Sequence, residues 1–140
     1  MHPRTALRDQ GQERAQAGQS LTELPIVLVL FLVVTFGIVD AGRLIFMYNT
    51  VSLSAREGVR YAVVRGSASG HAATADDITA YVQSKTVGLP VTVDQNFWPD
   101  GNNDPGSSVK VTVHSTFSAV TPFVPGTINL TSTSRMVISR

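Results

Sequence analysis

From Leu24 to Val39 the chain carries no charged side chain: LPIVLVLFLVVTFGIV, interrupted only by Pro25, Thr35 and Gly37. As a helix this run spans about 24 Å, at about 1.5 Å per residue, against a hydrocarbon core about 30 Å thick. Leu21 and Thr22 ahead of it, with Asp40 and Arg43 tolerated near the far interface, close most of the gap. A helix on a soluble domain shows an apolar stripe and a polar face, whereas this one is apolar all round. A chain of 140 residues can hardly bury a helix on every side. The expectation is one membrane-spanning helix in contact with lipid.

The rest of the composition narrows the function classes. Apolar residues make up 43% and charged residues 15%, which excludes a wholly disordered chain. Eleven Lys and Arg against ten Asp and Glu leave a net charge of +1, too little to steer a polyanion, so no nucleic-acid partner is expected. There is no cysteine, hence no thiolate zinc site, thiol nucleophile or disulfide. His2, His71 and His114 are too scattered for an all-histidine metal site. A non-enzymatic chain without metal or cofactor is the expectation. Arg4, Arg8 and Arg14 outnumber Asp9 and Glu13 before the apolar run, which favours the N-terminus inside. With a polar folded part after the run and a short tail before it, the economical topology is N-in, C-out.

The start of the apolar run is informative. Gly18-Gln19-Ser20-Leu21-Thr22-Glu23 is a polar leader ending in glycine, with a lone carboxylate at the fifth position beyond it. A carboxylate in a membrane segment costs about 2.5–3.5 kcal/mol at the bilayer centre and less near the interface, so Glu23 needs a partner. This pattern resembles the processing site of type IV pilin-like proteins, which a prepilin peptidase cuts after the glycine. Such a cut would place a positive α-amine on Gln19, able to neutralise the Glu23 of a neighbouring subunit. A plain interfacial helix-start residue is the other reading of Glu23. Val39-Asp40-Ala41 also passes as a signal-peptidase site, with Asp40 an awkward member.

Further motifs follow in order. Gly37-Ile38-Val39-Asp40-Ala41-Gly42-Arg43 precedes Ala55-Arg56-Glu57-Gly58-Val59-Arg60-Tyr61-Ala62. With Gly18 to Glu23, these resemble the TadE-like family, minor pseudopilins of the tight-adherence (Flp) pilus system. The resemblance is strong over residues 18–62 and looser to the C-terminus. It implies a prepilin peptidase, other pilins or pseudopilins and the inner-membrane assembly platform as partners, besides membrane lipid. Family members usually carry a proline in the middle of the apolar run, where this chain has only Pro25 near its head.

The residues read by themselves agree. Leu44, Tyr48, Val51, Ala55, Val59 and Ala62 recur at helical steps, a stripe that continues past the membrane. Asp40 with Arg43, and Glu57 with Arg60, stand one turn apart and can meet on the helix surface, for about 0.2–0.5 kcal/mol each. The Ala55–Ala62 cluster reads either as a solvated basic face with a small-residue seam or as a docking surface for the C-terminal domain or a partner pseudopilin.

Gly66 to Thr74 is turn-rich and ends the long helix. Asp76-Asp77 opens a second helix, which Lys85, Gly88 and Pro90 close. Val91–Phe97, Ser108–Val120 and Thr127–Ile138 then read as strands, clearest where Val109, Val111 and Val113 alternate with polar residues. The fold class is thus α+β: a long helix, a short helix and a three-stranded antiparallel sheet, pilin-like. The domain reading is a leader over 1–18, a membrane and stem helix over 19–66, a linker over 67–75 and an extracytoplasmic head over 76–140.

Two weaker signals are read as structural. Asp100, Asn102 and Asp104 alternate like the first ligands of a calcium loop, but Pro105 and Val111 occupy the positions where glycine and glutamate are needed. His114 lies on the polar side of its strand without a Ser/Asp pair in register. The leading expectation is a structural, single-pass inner-membrane pseudopilin that can become extracellular in a pilus. Its rivals are a signal-anchored extracytoplasmic binding domain without a pilus and, least favoured, a secreted enzyme cut near Ala41.

Overall fold

The computed structural model describes residues 23–121 and 126–139 in full, and residues 4–22 by their helical backbone. Helix α1 runs Arg4–Val63, α2 Ala75–Lys85, and the strands are β1 (Val91–Val93), β2 (Ser108–Ser118) and β3 (Thr127–Val137). The α+β class read from the sequence is the one observed. Two compact units divide the chain, Met1–Asp40 and Ala41–Arg140. The stem residues therefore cluster with the sheet, and helical backbone already begins at Arg4, inside the segment read as a tail.

In the first unit, Leu24, Ile26, Val27, Leu30 and Phe31 are all more than 60% exposed. In water such a helix would gain nothing from folding; in lipid the same surface is at home. Pro25 sits inside the helix without breaking it. It deprives the Leu21 carbonyl of an intrahelical donor, a cost placed close to the head of the apolar run. The Thr35 hydroxyl is satisfied by donating to the Phe31 carbonyl at 2.8 Å, as a hydroxyl facing lipid must be.

The second unit is built on a buried stripe of α1: Met47, Val51, Ser54, Ala55, Gly58, Val59, Ala62 and Val63. Tyr48, expected in that stripe, is 56% exposed, and its neighbour Met47 is buried instead, packed with Phe117 and Leu130. The buried Ser54 hydroxyl is paired with the Val51 carbonyl at 2.9 Å. Helix α2 begins in a capping box. The Thr74 hydroxyl accepts from the Asp77 N–H at 3.2 Å, and the Thr74 N–H donates to Asp77 Oδ2 at 3.0 Å. Ile78 and Val82 of α2 are fully buried, and the helix stops before Gly88, whose φ of +82° suits a residue without a Cβ.

β2 is the central strand of the sheet and pairs antiparallel with both neighbours. Val109, Val111, Val113 and Phe117 turn to the helices and are buried, while Lys110, His114 and Thr116 turn away. β1 is shorter than expected. Asp94 still donates its N–H to Thr112, but Lys110 next bonds Phe97 where regular pairing would take Asn96. The ladder slips by one residue there, with the Asp94 carboxylate accepting from the Asn96 N–H at 3.0 Å. That slip releases Phe97 into the core, where it is the largest fully buried side chain. The last residues tie back: the Ile138 N–H bonds Ser107 at 2.8 Å, and the Ser139 N–H bonds Val63 at 3.2 Å.

Candidate assembly site

Glu23 lies in α1 at the head of the apolar run and is exposed. Leu24, Val27, Leu28 and Phe31 line the shallow hollow beside it. A carboxylate at such a place stands against a face that is purely apolar among the described residues, and a charge partner would offset the cost of holding it there. Gly18 and Gln19 fall in the helical backbone, and their side chains lie outside the described residues.

The second motif divides. Gly37 and Gly42 face open space, with no atom within 4 Å of where a Cβ would stand. Such bare positions let another surface come close, but nothing in their own unit uses them. Asp40, read as a surface partner of Arg43, is only 5% exposed. The Arg43 guanidinium lies over the Phe117 ring, 5.5 Å from its centroid, a cation–π placement that leaves its apolar stem packed.

The third motif is largely an internal seam. Ala55 and Val59 are fully buried, and a Cβ on Gly58 would stand 2.5 Å from Val82 and 3.2 Å from Val111. The absence of a side chain is what lets α1 approach α2 and β2 this closely. The small residues form a packing seam of α1 against α2 and β2 within the one unit. Arg56 and Arg60 point outward, and Glu57 meets Arg60 at 3.7 Å on the surface. Tyr61 stacks on Tyr81 of α2, with ring centroids 4.2 Å apart, and the Arg65 guanidinium covers Tyr61 at 3.9 Å. Lys85 covers Tyr81 at 4.9 Å. Sequence reasoning placed Tyr61 in a motif and Lys85 at a helix end, but not their meeting through Tyr81 and Arg65; a tyrosine and a cation four residues apart on both helices was the available signal.

The polar loop before β2 spends its oxygens internally. Asp100 accepts the Ser108 N–H at 2.7 Å, Asn102 accepts the Asp104 N–H at 3.2 Å, and Asp104 accepts the Ser67 hydroxyl at 2.6 Å. The backbone bond from Ser108 is the main reason that the Asp100 carboxyl titrates below its ordinary range; Arg135, 3.8 Å away, adds to it. The His114 ring shares a hydrogen bond with Thr131 across the strands at 2.9 Å. These arrangements brace a hairpin and a sheet; they do not assemble an acid, a base and a nucleophile about one point.

One apolar helix long enough to span a bilayer, found among the described residues, and a small α+β unit define a single-pass membrane protein. Over residues 18–60 the chain is similar to the family whose model is described as TadE-like protein. The motifs from Gly18 to Arg60 fall within the matched stretch. Comparison with curated proteins and with solved structures returned no match.

Proposed function

We propose that this chain is a minor pseudopilin: a structural, non-catalytic subunit that helps to assemble or prime a Flp-type pilus or related secretion filament. It is made as a precursor, inserted with its N-terminus in the cytoplasm, and cut between Gly18 and Gln19 by a prepilin peptidase. The carboxylate of Glu23 then offsets the new α-amine of an adjoining subunit, setting the axial register while the apolar faces pack. The inner-membrane assembly platform and other pseudopilins are its partners, and the second unit is exposed outside the membrane.

The observation that carries this reading is Glu23, stranded at the head of a helix whose apolar side chains are exposed all round, five residues beyond Gly18. N-terminal sequencing of the protein recovered from membranes tests it. A start at Gln19 is expected. A start at Met1 would instead favour an uncleaved anchor carrying a binding domain, and a start at Gly42 a secreted form.

A further inference from the structure

Within the second unit, β2 runs back along α1. Beside the first residue of β2, the Ile138 N–H bonds Ser107 and the Ser139 N–H bonds Val63. Near its last residues, Phe117 packs with Met47 and Leu130 against Leu44, Leu89 and Ala119, and the Arg43 guanidinium lies over the Phe117 ring. The strand therefore starts at the Val63 end of α1 and finishes at the Arg43 end. The two ends differ in charge. By Ser108 stand Asp100, which meets Arg135 at 3.8 Å, and Asp104, which accepts from Ser67. From Ser115 to Ser134, the stretch that carries β2 out to its other end and β3 back, no residue is charged.

The uncharged end also leaves apolar side chains bare. Val120, just past β2, is 65% exposed. Val87 is 86% exposed, in the turn that the Leu89 N–H closes on the Thr86 carbonyl. On α1, Ile45, Phe46 and Tyr48 are exposed beside the buried Met47. Single apolar residues on a surface need no explanation, but several gathered at one uncharged end of a small unit mark a contact surface.

What meets this end follows from its distance along the chain to the apolar run. Arg43 and Met47 lie beyond Val39 in the same helix, by about 6 and 12 Å at about 1.5 Å per residue. The run covers about 24 Å of a hydrocarbon core about 30 Å thick, and a headgroup layer of about 5–7 Å follows. The stretch from Arg43 to Met47 thus falls at the headgroup layer, by helix length alone. An arginine with a packed stem and an exposed tyrosine are the residues suited to that layer. We infer that the uncharged end of the second unit is a lipid-binding surface: Val87 and Val120, with Phe46 and Tyr48, bed in the boundary between headgroups and acyl chains of the bilayer that holds the chain. The partner is lipid, continuous with the lipid around the apolar run, and the charged end by Ser108 stays in water. The inference rests on the single-pass reading; it needs neither cleavage at Gly18 nor a pilus.

The test uses the full chain in vesicles of phosphatidylethanolamine and phosphatidylglycerol. Because the chain has no cysteine, Val34→Cys, His71→Cys, Val87→Cys and Val120→Cys each give one site for an environment-sensitive fluorophore. All four positions are exposed, so the label disturbs no core. Two quenchers are compared: iodide in the water, and a nitroxide carried near the head of a lipid acyl chain. At position 34, on the apolar run, the nitroxide alone should quench; at position 71, in the turn beyond Val63, iodide alone should. Labels at 87 and 120 are expected to lose the iodide quenching seen at 71 and to gain that of the nitroxide. Iodide quenching at 87 and 120 equal to that at 71 overturns the inference. Shielding from both quenchers overturns it too, since protein, such as a second copy of the chain, would then cover this end. A label at 34 open to iodide overturns the single-pass reading and this inference with it, so position 34 tells the two failures apart.

Discussion

Gly58 on α1 and Val82 on α2 meet without room for a methyl group: a Cβ at position 58 would stand 2.5 Å from Val82 Cγ2. This approach joins the membrane-proximal helix to the sheet-bearing part of its unit. Ala55 and Val59 flank it on α1, and Val111 of β2 lies behind it. The expected effect of Gly58→Ala is a net loss of stability. Overpacking costs about 1–3 kcal/mol and exceeds the helix-propensity gain of about 1 kcal/mol. Adding Val82→Ala should return part of that loss. Thermal unfolding of the second unit's tertiary signal, in micelles, measures both; a more stable single variant would contradict the tight seam.

The capping box at the start of α2 makes a pH prediction. The Thr74 N–H and hydroxyl both donate to Asp77, and these bonds hold its carboxyl below its ordinary value of 3.8, the backbone bond foremost. A carboxyl depressed in the folded state stabilises above its unfolded value, and that contribution fades as pH falls through the folded value. Wild type should therefore exceed Asp77→Asn in stability at neutral pH, and the two curves should converge below about pH 3.8. Thr74→Ala, which removes the hydroxyl partner, should cost about 0.5–2 kcal/mol.

Phe97 reaches the core through the slipped ladder beyond β1 and is fully buried. Phe97→Ala should destabilise the second unit by about 3–5 kcal/mol, while Phe97→Leu should cost far less. Chemical denaturation followed by the adjacent Trp98, whose ring lies edge-on to Phe97 at 5.9 Å, reports the change.

In the apolar run, Leu30→Arg places a cation on a face where every described neighbour is apolar, at a cost of about 2.5–3.5 kcal/mol near the bilayer centre. Resistance to alkaline extraction from membranes should fall. An unchanged membrane fraction would mean that this helix is not the anchor.

Glu23→Ala should insert and be processed as the parent is, yet fail to co-purify with an assembly. Glu23→Asp should restore part of the yield, because the charge is kept and only its reach shortens. Co-purification of Glu23→Ala at the parental level would remove the assembly role of that carboxylate.

How much could be read ahead of the fold depended on the range of the interactions involved. The alternation of Val109, Val111 and Val113 placed β2, and the turn residues after Thr86 placed the end of α2, because each is decided within a few neighbouring residues. The same reasoning extended β1 to Phe97, since nothing local announces that Lys110 will skip Asn96. It assigned Tyr48 to the buried stripe because Tyr48 and Met47 stand equally near it by helical spacing; contact with Phe117 and Leu130 selects Met47. Of the candidate site, Glu23 and the three motifs were visible as residues. The division of the third motif into inward Ala55 and Gly58 and outward Arg56 and Arg60 needed only helical periodicity, but what they pack against did not follow from it.

What the chain's own order of residues settled is its relation to solvent. An uninterrupted apolar segment prefers lipid whatever else the protein does, because that preference sums residue by residue. Tertiary structure alone decided that Gly58 is a contact and not a gap, that Tyr61 finds Tyr81, and that Phe97 enters the core. Each of these depends on which distant segments come together, and that choice belongs to packing between elements that no local pattern records.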